Sequence, residues 1–381
     1  MSKLEDIHSV YSKTLYIEDF HLIDVPLAQY ISRKIPGDPV WLTGVATSGY
    51  GKTTMVNPLI ELAYDINQPS GKDNDPKYDL FYISQVTPAS FASGSKGSEK
   101  QNDIGHWLDK RDSMIIISDL ASIQTMDSES KEKLQGLFRE LFDGKIKIDT
   151  GTANKFYKNI HCSMLSFCTP QVAQMIDKND ILGTRGINYN IPTMKCREKA
   201  LGVKDTKKGR AERTAVVKDF VDKHMDVELI KLSDVDDLFV KHLALDIAKW
   251  RTQGVCDDHS ELIQFVLQEY PMRVRNQLEK LYRGLLTIGV DNVTARSHLA
   301  QISSTTGNVV RREIMKILVL PKSPRELSDE MVISPYEIKK QLWILSHMKL
   351  VKALLKNEDD VDVNITDLGC RWCSMIGNME L

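Results

Sequence analysis

The sequence predicts an α/β protein built on a doubly wound, mainly parallel sheet, and three observations lead there. Short continuous apolar runs alternate with stretches of helical apolar spacing through the first half of the chain, the pattern of parallel strands covered by helices on both faces. A glycine-rich turn joins the first such run to its helix. After the sheet segment the pattern turns helical, and the last seventy or so residues form a separate unit of helices followed by two strand-like runs.

Met1 to Pro39 reads as an N-terminal helical lead-in (1–39), closed by the turn Pro36-Gly37-Asp38-Pro39. Val40 to Val45 is the first buried strand, and Thr53 to Tyr64 carries Met55, Leu59, Ile60 and Leu62 at helical spacing. Tyr78 to Ile83 and Ser113 to Ser118 are the next strands, Ser128 to Phe142 a helix, and Ser163 to Phe167 a further strand. These define a core over 40–194. Charge-dense Lys195 to Arg213, with Lys207-Lys208-Gly209-Arg210, reads as an exposed connection into a helical segment over 195–302, where Phe239, Leu243, Ile247 and Trp250 recur at three-to-four spacing. In 303–381, Ser323-Pro324 and Ser334-Pro335 each place a capping residue before a proline at the first helical position, so helices start there.

The composition, 42% hydrophobic and 27% charged over 381 residues, is that of an ordinary globular chain long enough for two or three domains. A formal charge of −2 excludes a generally basic nucleic-acid coat and leaves room only for a local basic stripe. The N-terminus MSKLEDIHSVYSKTLYIEDF has no signal-peptide block, and no stretch approaches 18 uninterrupted apolar residues, so the expectation is a cytoplasmic protein without a membrane span. Six scattered cysteines fit reduced thiols. Cys370 and Cys373 form one CxxC, but a zinc site needs a second ligand pair and none is placed for it.

The chemistry concentrates in Ala46-Thr47-Ser48-Gly49-Tyr50-Gly51-Lys52-Thr53-Thr54, which fits a Walker A phosphate loop with alanine at the first glycine position. Backbone N–H groups of such a turn face phosphates, the lysine neutralises their charge, and the Thr53 hydroxyl ligates Mg²⁺ at a helix N-terminus. ATP and Mg²⁺ are therefore the expected ligands. Asp119, at the end of the third strand, is placed to hold the magnesium as a Walker B aspartate. The following position, where a glutamate base is expected, holds Leu120, which argues against fast hydrolysis. Glu140 is an alternative carboxylate, with a solvated helix residue as its plainer reading.

With these motifs in order, the chain resembles the AAA+ ATPases from about Val40 to Ile302, which implies an AAA+ core with a helical lid. The resemblance assigns further roles by position. Thr169, after Met164 to Phe167, matches a polar sensor near the γ-phosphate. Arg185, in Leu182-Gly183-Thr184-Arg185-Gly186 before Ile191-Pro192, matches the arginine finger that reaches a neighbour's ATP, which implies a homo-oligomer arranged as a ring. Arg273 in Tyr270-Pro271-Met272-Arg273-Val274-Arg275 matches a second sensor, with Arg275 as the alternate. A planar, permanently charged guanidinium suits each task, and a surface ion pair is the plainer reading of each. Val86 to Gly94 and Phe138 to Gly144 are similar in texture to ATPases encoded by phages, plasmids and other mobile elements.

Lys145 to Asp149 and Lys155 to Lys158 flank the turn Thr150 to Asn154 and predict a β-hairpin. The resemblance implies that one face offers Lys145, Lys147, Lys155 and Lys158 to DNA phosphates; an ordinary surface hairpin is the alternative. The order of elements after Arg311 resembles a winged helix, whose third helix would present Tyr336, Lys339 and Lys340 to DNA, or would serve protein contact. Three functions compete: an oligomeric ATP-driven motor or loader acting on DNA, a non-motor ATP switch such as a DNA-binding regulator or defence protein, and a protein-remodelling ATPase, to which only Phe91 points.

Overall fold

The computed structural model describes residues 3–49, 51–65, 77–84, 86–88, 104–150, 153–178, 182, 185–191, 199, 205–252, 254–256, 262–265, 269–318, 320–357 and 360–366. Tyr50, Phe91, Gly183, Thr184, Pro192, Cys370 and Cys373 lie outside them, as does the segment from 192 to 198. Contacts divide the chain into two units, one of residues 1–241 and 272–299, the other of 242–271 and 300–381.

The first unit is α/β. Its sheet holds six parallel strands in the order β2-β3-β4-β7-β1-β8, where β1 is Trp41–Val45, β2 Tyr64–Asp65, β3 Leu80–Ile83, β4 Asp112–Ile117, β7 His161–Cys168 and β8 Ile187–Asn190. Every residue of β1 is buried, and β4 and β7 are buried beyond their first positions. That is why these strands read as unbroken apolar runs: helices cover both faces of a parallel sheet. The polar residues inside find one another, as in the 2.9 Å hydrogen bond between the hydroxyls of Thr43 and Ser166 on paired strands.

One face is covered by α5 (Ser128–Phe142), whose start is fixed by Asp127 accepting a hydrogen bond from the Ser130 amide. Its apolar side, Leu134, Phe138, Leu141 and Phe142, packs around Trp41, with the rings of Phe138 and Phe142 edge-on to the indole at 5.8 and 5.2 Å. N-terminal helices α1 (Leu4–Thr14) and α2 (His21–Ser32), α3 (Lys52–Leu62) and α7 (Lys207–His224) pack together, tied by the Tyr11 hydroxyl donating to the Met55 carbonyl at 2.8 Å. Short α4 (Ile104–Leu108) precedes β4, and α6 (Pro170–Lys178) follows β7.

The strands expected from the sequence are found to within two residues, but β2 and β8 were not among them. Lys207 to Arg213 opens α7, with Arg213 buried, instead of lying in an exposed connection, and two further features differ. The stretch expected to be wholly helical is interrupted between α8 (Asp234–Trp250) and α9 (Met272–Thr287) by an antiparallel pair, β9 (Gly254–Cys256) with β10 (Leu262–Phe265). The hairpin of β5 (Lys145–Thr150) and β6 (Ala153–Lys158) closes more tightly than expected, because Thr150 pairs with Ala153 and only 151–152 remain between the strands.

The second unit is built on α11 (Val309–Ile317), α12 (Pro324–Met331) and α13 (Pro335–His347), followed by the antiparallel pair β11 (Val351–Asn357) and β12 (Asp360–Ile365), with a bridge from Lys322 to Val363. Ser323 and Ser334 cap their helices with proline at the start, as their spacing predicts. Trp250, Ile314, Leu318, Leu327, Ile338 and Leu345 form its core. Beside them, buried Arg312 pairs with Asp246 at 3.1 Å under the Trp250 ring. The intervening helix, α10, spans Asn292–Thr305.

Candidate functional site

The sheet order creates the crevice before any loop residue is considered. From β1 the chain moves to strands on one side and returns through β7, and the next strand, β8, lies on the other side of β1. Connections leaving in opposite directions open a cleft at the carboxyl end of β1, the place where open α/β sheets bind ligands.

The glycine-rich loop occupies that end. The Ala46 amide donates to the Cys168 carbonyl at 3.2 Å, carrying the β1–β7 ladder one step further, and then Thr47, Ser48 and Gly49 are exposed. Gly49 and Gly51 have φ of +78° and +80°, the left-handed region that costs an L side chain about 1–2 kcal/mol, and no neighbour lies within 4 Å of a Cβ placed on either. Backbone conformation, not crowding, is what demands glycine here. Gly51 is the N-cap of α3 and supplies no side-chain acceptor, so the first amides of the helix are left to bind an anion.

Lys52 folds back over this loop. Its Nζ donates to the Ala46 carbonyl at 2.5 Å and the Thr47 carbonyl at 3.1 Å. Burial lowers the lysine pKa below its ordinary value, and attraction to Asp119 and Cys168 opposes that shift. Strand register brings the remaining candidates to the same edge. Ile117 pairs with Ser166 and Val45 with Cys168, so Asp119 stands level with Cys168, and Ala46 level with Thr169. Neighbouring strands are about 4.8 Å apart, so Lys52, Thr53, Asp119 and Thr169 converge on one cleft. Asp119 is exposed, with Oδ1 accepting from the Ala121 amide at 2.9 Å; Thr169 is half-buried and its carbonyl accepts from the Ala173 amide at the start of α6.

Two carboxylate questions are settled locally. Leu120 is fully buried, its amide donating to the Phe167 carbonyl at 2.9 Å, so the position after Asp119 points into the core. Glu140 is engaged elsewhere: Oε2 accepts from the Lys147 amide at 2.9 Å, joining α5 to the hairpin. Among the described residues no three His, Cys, Asp or Glu side chains gather as a metal site. A divalent cation at the loop would thus depend on the Thr53 hydroxyl, Asp119, ligand oxygens and water, a donor set that suits Mg²⁺, which keeps much of its hydration.

The structure does not bring the arginines to this cleft. Arg185 immediately precedes β8 at the opposite, amino edge of the sheet; its carbonyl accepts from Gln277 Nε2 at 2.7 Å, and Gln277 Oε1 in turn accepts from the Trp41 amide at 2.9 Å. The guanidinium is 13% exposed, pairs with Asp143 at 3.2 Å and leaves Nε without a partner. Arg273 is one turn before Gln277 on α9, the residue that accepts from the Trp41 amide at the start of β1. The alternate, Arg275, pairs with Asp237 at 2.8 Å. The cause is the docking of α9 on α2, where Gly284 lets the backbones meet closely, together with Asn276 and Lys280 bonding to Asp38 and Gly37.

On the hairpin, Lys145 pairs with Lys158 and Lys147 with Phe156, so these four share one face. Position 155 pairs with position 148, one step out of register with the pairs 145–158 and 147–156. Phe156 is 53% exposed, with the Lys158 ammonium 4.7 Å from its ring centre. Pairing 145 with 158 in the sequence would have found it. On α13, Tyr336 and Lys339 are exposed and Lys340 is half-buried, and they share their side with exposed Trp343, an aromatic residue among the basic ones.

Comparison with protein-family models gives no match, and comparison with curated proteins gives none either. No described helix is long and apolar enough to cross a membrane.

Proposed function

We propose that the chain is a phosphate-loop ATPase of the AAA+ type that acts on nucleic acid. The observation that carries the reading is the loop itself: two left-handed glycines and an uncapped helix start at the carboxyl end of β1, with Lys52 folded over two loop carbonyls and Asp119 across the cleft. In this reading the loop amides and the Lys52 ammonium hold the phosphates of ATP, Thr53 and Asp119 hold Mg²⁺, and Thr169 lies beside the terminal phosphate. The order of helices and the closing strand pair support reading 303–381 as a winged helix with Tyr336, Lys339, Lys340 and Trp343 toward DNA. The hairpin face of Lys145, Lys147, Lys158 and Phe156 combines phosphate-binding charge with a stacking ring, which favours single strands. Arg185, remote from its own loop, serves a nucleotide only in a neighbouring subunit, so the motor reading requires a homo-oligomer and release of Asp143.

A second reading, a slow ATP switch that regulates rather than moves DNA, is favoured by Leu120, because the site lacks a carboxylate base beside Asp119. One experiment separates them. ATP binding and hydrolysis are measured with and without single- and double-stranded DNA, with Lys52→Ala as the blank. DNA-stimulated turnover lost in Lys52→Ala supports the motor; tight Mg²⁺-dependent binding with negligible turnover supports the switch; absence of ATP binding by the native chain refutes both.

A further inference from the structure

A cavity of about 810 Å³ lies within the first unit, between the N-termini of α1 and α2, the end of α7 and the turn joining α9 to α10. That volume is in the range of small-molecule sites. Its lining includes no residue of the phosphate loop.

At its centre is Asp24, only 2% exposed, in the first turn of α2. Its Oδ1 is 2.6 Å from His8 Nε2, and its Oδ2 is 3.5 Å from His298 Nε2. Burial alone would raise the Asp24 carboxyl, but the imidazoles of His298 and His8 outweigh it and hold the group below its ordinary value. Asp24 is therefore an anion at neutral pH. His298 is 2% exposed; its Nε2 faces Asp24, and its Nδ1 has no hydrogen-bond partner, a costly arrangement for a buried polar atom unless the wall it forms receives a polar guest.

Charge and surface identify the guest. Asp19, its pKa raised by burial, Glu5 and Asp291 join Asp24 around the cavity against the single ammonium of Lys3, beside the imidazoles of His8, His21, His224 and His298, so carboxyl groups outnumber ammonium groups in the lining. Asp19 accepts from the His21 amide, and Asp291 accepts from the amide and the side chain of Thr294. Between the carboxylates lie apolar stretches of Leu4, Ile288 and Val290, and the Phe20 ring stacked on His8 at 3.8 Å. Separated anions over hydrocarbon match a ligand whose cationic centres are separated by methylenes.

We infer that this cavity binds an aliphatic polyamine, its ammonium groups paired with Asp24 and the rim carboxylates and its methylenes against the apolar floor. The inference is independent of the ATPase reading, since the readout is binding. Spermidine is titrated into the full chain by calorimetry at constant ionic strength, with sodium chloride and a monoamine as controls, and the histidine imidazole resonances are followed by NMR. Expected are saturable binding at one site that neither control reproduces, and movement of the His8 and His298 resonances. Glu5→Gln, Asp19→Asn and Asp291→Asn together, which leave the buried centre intact and keep a capping group at 291, weaken the affinity at least about tenfold. Glu5→Gln alone, on an exposed residue, gives a smaller loss in the same direction should the triple variant fail to fold. Absence of saturable binding, reproduction by salt, unmoved His8 and His298 resonances, or undiminished affinity in the carboxamide variants would each overturn it.

Discussion

Lys280 gives the sharpest stability prediction. It is 3% exposed on α9, and its Nζ donates to the Gly37 carbonyl at 2.9 Å and stands 3.1 Å from His161 Nε2, whose other nitrogen meets Asp112 at 2.9 Å. Burial holds its pKa down to about 8 from 10.5, against the attraction of Asp38, Asp112 and Glu279 and with the help of Arg283. Below pH 8 both folded and unfolded chains carry the charge, and the folded state bears the cost of burying it. Between pH 8 and 10.5 the folded chain loses the proton first, the unfolded chain binds more protons, and stability rises with pH. The lowering from 10.5 to about 8 corresponds to about 3 kcal/mol in full, of which about 1 is gained by pH 9. Lys249, held near 8 by burial, adds a slope of the same sign, while the raised thiol of Cys162 and the raised phenols of Tyr30 and Tyr282 oppose it at higher pH. His161, lowered by burial and by Lys280, titrates below the window. The assay is therefore a difference: urea unfolding of the native chain and of Lys280→Met at pH 7, 8 and 9. The native chain should gain more than the variant by about 1 kcal/mol between pH 7 and 9; equal slopes would refute the assignment of a depressed pKa to Lys280.

A methyl group at Gly284 would stand 2.3 Å from the Ala28 carbonyl oxygen, so Gly284→Ala should lower stability by about 1–2 kcal/mol despite the better helix propensity, and a raised melting temperature would contradict the close approach of α9 and α2. Leu120→Glu would bury a carboxylate where the native side chain is fully enclosed, so it should destabilise by more than about 3 kcal/mol and bring no gain in ATP turnover; a stable, faster variant would show that the position faces the cleft. Phe156→Ala should weaken single-stranded DNA binding about tenfold at unchanged melting temperature, and neutralising Lys145, Lys147 and Lys158 should lower the salt slope by about 2; unchanged affinity in both would remove the hairpin from the interface.

What was legible in the sequence is what local physics dictates. The runs Trp41 to Val45 and Ser113 to Ile117 are buried on both faces and could be read as strands without any partner in view. Two glycines before Lys52 declared a backbone that only glycine adopts cheaply, and Ser-Pro pairs declared helix starts. Less legible were features set by pairing and docking. The face of Lys155 depends on register, since a strand's side-chain period of two sends a residue to one side or the other with a single step. The short strands β9 and β10 lack the length for a periodic signal. The docking of α9 is tertiary, because nothing in the segment around Arg273 tells which end of the sheet α9 will meet.

That docking bears on mechanism. The amino edge of the sheet carries a connected set of polar contacts: Gln277 bridges the Trp41 amide and the Arg185 carbonyl, Lys280 bridges Gly37 and His161, and Asn276 holds Asp38. The phosphate loop is at the other end of β1, about 17 Å away from Trp41 to Ala46 along the strand, farther than an arginine side chain extends. Helix α9 is thus a clamp on the base of the sheet, and Arg185 stands at that base while Lys52 stands at the cleft. In the proposed ATPase, transition-state charge beyond what Lys52 and a magnesium ion would neutralise would have to come from another subunit or from a rearrangement of α9, and without either the proposed slow switch is the reading that is left.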